Sequence, residues 1–266
     1  MTGENDETES FVLYQKGTHF SVLNRHEEAV AFFAEVIRRE PGFLPARIAY
    51  AVSLDRMGRF EDASRACDEA LTQEPHDPDL LYAKANALYH LGRHTEAIDW
   101  FTRAVTEEPR LVEAWYNTGN AHFALRNFDN ALLCYDQAIV LAPDYAKAYY
   151  NRGVTFEELD QCNKALADYD RYLAINHGDA AIGNNRGVCL AKLKRYPEAL
   201  ENFDQVLALN PRNVYALNNK GMILRKMGRI EEAHLLFEKV QEIVRGGHSG
   251  RTEDFRSDED YQPQYQ

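Results

Sequence analysis

Along this chain a proline returns every 34 residues, at Pro41, Pro75, Pro109 and Pro143 and, beyond a gap filled by His177, at Pro211. A fixed period without insertions constrains a chain more than its composition does. Each repeat must be the same supersecondary unit, and it must bury its apolar face against its neighbours. The period sets seven registers, 10–43, 44–77, 78–111, 112–145, 146–179, 180–213 and 214–247, with acidic flanks at 1–9 and 248–266 that read as disordered.

Within this register the eighth residue is always small (Gly17, Ala51, Ala85, Gly119, Gly153, Gly187, Gly221), and the twentieth is alanine from Ala29 to Ala233. The twenty-fourth is a ring in six repeats, Phe33, Phe101, Tyr135, Tyr169, Phe203 and Phe237, with Cys67 in the second. Small residues in register let two helices approach to the short end of the usual separation of about 8–10 Å, and the ring fills the space between them. The apolar spacing predicts two helices of roughly 14 residues per repeat. Gly58, Gly92 and Gly228 mark the turn between them. Acidic residues (Glu27, Glu61, Glu96, Asp129, Glu198, Glu231) open the second helix, where they complement its dipole, and the terminal proline stops it. The predicted fold is all-α.

Regularity fails at the fifth and sixth repeats. His177-Gly178 replaces the proline, Tyr172 stands where other repeats carry Ala70, Ala104 and Ala138, and Gly183 beside Ile182 replaces a large residue. Altered packing is expected there. After Val240, Ile243 and Val244 the sequence Arg245-Gly246-Gly247-His248 reads as turn and linker, so the last helix is expected to keep an open face.

Apolar residues are 45% and charged residues 27% of the 266, enough for a continuous core. The net charge of −12 is concentrated in the flanks, where residues 1–9 contribute −4 and 248–266 contribute −3. An acidic chain lacks the basic stripe that neutralises phosphates, so neither nucleic acid nor an anionic membrane is the expected partner. No apolar run is long enough to span a membrane, and the first residues are acidic rather than signal-like, so the expected location is cytoplasmic. Cys67, Cys134, Cys162 and Cys189 lack metal-ligand spacing and read as small buried thiols.

No catalytic motif is present: there is no HExxH, Walker-type loop or GxSxG elbow, so neither an enzyme nor a cofactor is expected. His26 and His94 occupy the place of Phe60 and Phe128, and His122 that of Phe20 and Leu54, so they read as packing residues rather than metal ligands. Lys16, Lys84, Arg152, Arg186 and Lys220 share the seventh place and read as a solvated or ion-paired row.

With its 34-residue period and its Trp115, Gly119, Ala131, Tyr135 and Pro143, the chain resembles the tetratricopeptide repeat family over residues 10–247. The resemblance implies an α-α superhelix, or solenoid, of seven helix-turn-helix repeats. It also implies a concave surface lined by the first helices and used to bind proteins. The second, fifth, sixth, ninth, twelfth and thirteenth residues of each repeat are then expected to face the groove.

Asn117, Asn151, Asn185 and Asn219 share the sixth place of four consecutive repeats. This ladder is similar to the asparagine row in the repeat superhelix of the O-linked N-acetylglucosamine transferases. An amide both donates and accepts, so it can pair with any peptide backbone. Expected helpers are Asn86 and Asn120 at the ninth place, Tyr82, Tyr116 and Tyr150 at the fifth, and Lys192 and Lys226 at the thirteenth. The function expected is that of an adaptor holding an extended peptide segment of a partner protein. The rival expectations are self-association as a homodimer through the last helix, and an acidic tail that folds back onto the groove.

Overall fold

The computed structural model describes residues 3–176 and 179–247. The expectations for Met1-Thr2, His177-Gly178 and the tail 248–266 lie outside the described residues. Fourteen helices and no strands occur among those described. First helices of the repeats are α1 (Gly3–Val22), α3 (Leu44–Arg56), α5 (Pro78–His90), α7 (Val112–Ala124), α9 (Ala146–Glu158), α11 (Ala180–Lys192) and α13 (Val214–Lys226). Second helices are α2 (His26–Arg39), α4 (Phe60–Leu71), α6 (His94–Glu107), α8 (Phe128–Leu141), α10 (Cys162–Ile175), α12 (Tyr196–Leu209) and α14 (Ile230–Gly247). The chain divides between Leu159 and Asp160 into two compact bodies, one holding α1 to α9 and the other α10 to α14.

In the first body α1, α3, α5, α7 and α9 touch in succession, whereas α2, α4, α6 and α8 make no such contacts with one another among the described residues. The first helices therefore form the tighter, inner layer. The second body repeats the pattern, with α11 touching α13.

The packing follows the alternation of small and large residues. Ala29, Ala97, Ala131 and Ala199 are fully buried, as are Phe33, Phe101, Tyr135 and Phe203. At Gly119 an added Cβ would stand 2.5 Å from Cε1 of Tyr135, and Gly17, Gly187 and Gly221 meet Phe33, Phe203 and Phe237 in the same way. The ring of the second helix thus packs where the first helix has no side chain.

The turn is more uniform than its sequence. Its fifteenth residue is left-handed in every repeat, as glycine at Gly58, Gly92 and Gly228 and as Asn24, Arg126, Asp160 and Lys194 elsewhere. Gly92 N–H donates to Tyr89 O and Arg93 N–H to Leu88 O, both at 2.9 Å, which closes the first helix with a Schellman motif. The same pair of bonds forms at Arg126 and Asn127, so tertiary packing holds a non-glycine residue in the strained conformation.

Two expectations at the ends are corrected. Residues 3–9, read as disordered, begin α1, and Glu9 pairs with Arg39 of α2 at 2.9 Å. Glutamates without an intervening proline extend a helix readily. Arg245-Gly246-Gly247, read as a turn, are helical because α14 continues the apolar spacing of Val240, Ile243 and Val244.

The irregular residues compensate locally. A Cβ on Gly183 would lie 2.4 Å from Cγ2 of Val206, so the missing side chain admits a larger residue from α12. Asn202 donates to the Gly183 carbonyl at 2.6 Å. Tyr172 donates from its hydroxyl to Asp179 at 2.9 Å, and Asp179 in turn caps α11. No helix among the described residues is long and apolar enough to cross a membrane.

Arginine just before the second helix pairs with an acid three residues on, at 2.5–2.6 Å, in Arg25–Glu28, Arg59–Asp62, Arg93–Glu96, Arg195–Glu198 and Arg229–Glu232. These arginines hold the five carboxyls below their usual range. Arg38 and Arg39 lower Glu35 from 4.5 to about 2. Burial also pushes His94 and His122 below 6.5. Depressed carboxyls stabilise the fold above 4.5 and lose that effect as pH falls, while depressed histidines resist the protonation that begins below 6.5. The thermal midpoint should therefore decline from pH 6.5 downward and more steeply below 4.5. Added salt should flatten the lower limb. A midpoint constant from pH 7 to about 3 would contradict this linkage.

Gly119→Val should lower stability by about 1–3 kcal/mol, because the Tyr135 ring has no room to withdraw. Thermal unfolding checks it, and an unchanged midpoint would mean that the ring contact is loose.

Candidate functional site

The sixth-place asparagines lie on the inner layer, and in the first body their amides are already occupied. Asn117 Nδ2 on α7 donates to the Tyr82 hydroxyl at 3.0 Å and to Asn86 Oδ1 at 2.9 Å, both on α5. One repeat further, Asn151 Nδ2 on α9 donates to the Tyr116 hydroxyl at 2.9 Å and to Asn120 Oδ1 at 2.7 Å, both on α7. Asn120 links the two steps, since its Nδ2 donates to Asn117 Oδ1 at 3.3 Å while its own oxygen also accepts from Tyr135 at 2.9 Å. An asparagine amide has two N–H groups, and both are used in Asn117 and Asn151. Asn120 and Asn151 are buried. The fifth, sixth and ninth places thus form one network joining successive first helices.

Burial raises the hydroxyls of Tyr82 and Tyr116 above the ordinary phenol range. Their rings pack on Phe101 at 5.9 Å and on Tyr135 and Tyr145 at 6.0 and 5.3 Å. These tyrosines are half-buried, and so is Tyr150 of α9.

In the second body the ladder has a different environment. Asn185 and Asn219 are half-buried and make no hydrogen bond among the described residues. Repeat six carries Asn184 and Val188 at the fifth and ninth places, where the tyrosine–asparagine pair would be needed, and Asn184 turns instead to Asn213 at 3.3 Å. Asn219 lines a groove of about 210 Å³ whose floor includes Val188, Ala191, Met222 and Ile223. Lys192 of α11 and Lys226 of α13, both exposed, stand at its rim. The structure therefore brings together Asn219, Lys192 and Lys226 in one groove, and Tyr82, Tyr116, Asn86, Asn117, Asn120 and Asn151 in an internal network.

Four of the five seventh-place cations, Lys84, Arg152, Arg186 and Lys220, are ion-paired, through a partner row that the sequence reading overlooked. Each of these four reaches an aspartate 16 residues earlier, at the twenty-fifth place of the preceding repeat, whereas Lys16 in the first repeat has no such place before it. Lys84 meets Asp68 at 2.6 Å, Arg152 meets Asp136 at 2.5 Å, Arg186 meets Asp170 at 2.6 Å, and Lys220 meets Asp204. Lys84 is 6% exposed, and its ammonium is satisfied by Ser64 Oγ at 2.7 Å and Ser64 O at 3.2 Å besides Asp68. Where the two places hold Thr102 and Thr118 instead, each hydroxyl bonds to its own helix, at Ile98 O and Ala114 O. The signal was visible as an aspartate and a cation that are present or absent together.

His94 packs its ring 5.0 Å from Tyr89, and the Nδ1 atoms of His26, His94 and His122 are buried without a partner. His90, outside that group, meets Asp55 at 2.8 Å. All four thiols are buried, and burial raises Cys67 to about 12 and Cys134 to about 11. The thiols of Cys67 and Cys134 therefore carry little thiolate at neutral pH and are poor nucleophiles.

Tetratricopeptide repeat profiles match residues 48–111, 119–184 and 179–246. Among curated proteins none matches the sequence. Solved structures with a similar fold include YrrB, described as a TPR protein with an unusual peptide-binding site, at 22% identity and TM-score 0.61 over 70% of this chain and 95% of that one. MamA from Desulfovibrio magneticus RS-1 is similar at 20% identity and TM-score 0.61 over 64% and 96% of the two chains. A tetratricopeptide repeat protein from Parabacteroides merdae covers 90% of this chain and 95% of its own, at 16% identity and TM-score 0.62.

Asn151→Ala should destabilise the chain by about 1–3 kcal/mol, since it removes one of the two donors to buried Asn120 Oδ1 and the donor to the Tyr116 hydroxyl. Asn219→Ala should change stability by no more than about 0.5 kcal/mol, having no internal partner to orphan. Denaturant unfolding of both variants makes the comparison, and equal losses would show that the two rungs are equivalent.

Proposed function

The chain belongs to the tetratricopeptide repeat family, and from that premise we propose that it is a cytoplasmic interaction scaffold, an adaptor without catalytic activity of its own. It takes an extended peptide segment of a partner protein into the groove between α11 and α13. The observation that carries this reading is Asn219, a half-buried amide without an internal hydrogen bond, set on an apolar floor between two lysines.

Its amide can accept a peptide N–H and donate to a peptide C=O whatever the side chain. Each such bond contributes about 0.5–1.5 kcal/mol. An apolar residue buried on Val188, Ala191, Met222 and Ile223 contributes about 1.5–3 kcal/mol, so the floor supplies most of the affinity. Lys192 and Lys226 then select for a carboxylate beside that apolar residue. Asn185 extends the backbone-reading row within the second body. Asn86, Asn117, Asn120 and Asn151 support the reading indirectly, by holding the first helices in register. The peptide-binding site described for YrrB lends support from a protein of similar fold.

A second reading, self-association through α14, draws on the exposure of Ile230 at 57% and Leu235 at 65%. Affinity enrichment from cell extract separates the two, comparing the full chain with Asn219→Ala/Lys226→Glu and followed by measurement of mass by sedimentation equilibrium. The groove reading expects the variant to lose the enriched proteins and the mass to stay monomeric across concentrations. An unchanged set of proteins would overturn it, and a mass rising with concentration would favour self-association.

A further inference from the structure

Two exposed carboxylates of the first body stand beside half-buried rings without a cation paired to them. Asp79 of α5 and Glu113 of α7 each lie one helical turn before a tyrosine, Tyr82 and Tyr116, and so share its face. Neither carboxylate makes an ion pair or a hydrogen bond among the described residues. Elsewhere this chain sets an arginine against such acids, as in Arg25–Glu28, Arg59–Asp62 and Arg93–Glu96. Arg56 of α3 reaches the Tyr82 hydroxyl electrostatically but pairs with neither carboxylate. A place in the first turn of a helix accounts for the acidic charge, but not for the rings gathered beside Glu113.

Tyr145, which precedes α9, packs on Tyr116 with ring centroids 5.3 Å apart and planes at 76°, so that a ring face and a ring edge meet in a corner. Burial raises the Tyr145 hydroxyl above the ordinary phenol range, and Tyr116, Glu113 and Tyr82 raise it further, so these four polar groups lie within electrostatic reach of one another. A ring face attracts a cation. The chain uses that attraction with its own guanidiniums, Arg103 over Trp100 at 4.2 Å and Arg25 over Phe20 at 4.5 Å. Tyr82, Tyr116 and Tyr145 receive no such cation among the described residues. Arginine suits the corner better than lysine, because its planar fork pairs with a carboxylate while stacking on a ring.

We propose that α5 and α7, through Asp79, Tyr82, Glu113 and Tyr116 together with Tyr145, form a docking surface for an extended partner segment carrying two arginines three residues apart. One guanidinium pairs with Glu113 against the Tyr116–Tyr145 corner, and the other pairs with Asp79 beside Tyr82. The spacing follows from the repeat. Helices α5 and α7 are in contact, which sets them about 8–10 Å apart, and three steps of extended chain at about 3.3 Å cover about 10 Å. At the same place in the fifth repeat Lys147 reverses the charge, which limits the surface to two arginines. The surface lies wholly in the first body, and its role is independent of the groove between α11 and α13.

The test uses the full chain and a fluorescein-labelled synthetic peptide, Gly-Arg-Gly-Gly-Arg-Gly, read by fluorescence anisotropy at physiological salt. A second peptide replaces both arginines with citrulline, which keeps the shape and removes the charge. The arginine peptide should bind and the citrulline peptide should not. Glu113→Gln should weaken binding by about threefold or more, and so should Tyr145→Leu, which installs the residue that Leu111 supplies at the same place in the third repeat. Glu69→Gln on α4, away from the rings, removes the same charge and should leave binding as in the wild type. Equal losses from Glu113→Gln and Glu69→Gln would overturn the proposal, because the peptide would then sense only the acidity of the whole chain. Absence of binding by the wild type would overturn it as well, and the enrichment experiment with Asn219→Ala/Lys226→Glu would still decide the other groove separately.

Discussion

The contact on which the rest depends is the aromatic ring of a second helix resting against a first-helix residue that lacks a side chain. At Gly119 and Tyr135 the approach is so close that a single added carbon would overlap the ring. That closeness brings the two helices of a repeat together, and the turn between them follows from it. Arg126 adopts the left-handed conformation that Gly92 adopts in the preceding repeat, although it gains no conformational freedom from its side chain. Tertiary packing overrides the local cost of about 1–2 kcal/mol.

Polar couplings then join one repeat to the next. Aspartate at the twenty-fifth place reaches a cation at the seventh place of the following repeat, and within the first body the asparagines add a second linkage on the inner layer. This second linkage is missing around Asn219. In repeat six a valine at the ninth place and an asparagine at the fifth offer Asn219 neither the acceptor nor the hydroxyl that Asn151 receives. The same residue type in the same place therefore serves structure in one body and stays available in the other.

The period, the helix pairs and the core residues were legible in the sequence because each depends on residue size at a fixed spacing. The division of the ladder was not. Reading one place across repeats showed four identical asparagines, whereas their roles depend on the fifth and ninth places of the preceding repeat. The aspartate row was missed for a related reason, since its members and their cations fall in different repeats and align only at a spacing of 16. At the chain's start the acidic composition suggested disorder, but Glu9 had a partner in Arg39 that no local pattern reveals. Gly183 looked like a defect until Val206 was seen to fill its place.

The central claim is that the asparagine ladder is internally bonded at Asn117 and Asn151 and open at Asn219. It is tested most directly by side-chain amide exchange in the full chain, labelled with nitrogen-15 on asparagine and read by NMR. The Nδ2 protons of Asn117 and Asn151 should exchange with water many-fold more slowly than those of Asn219. Exchange at one common rate across all three would contradict the account.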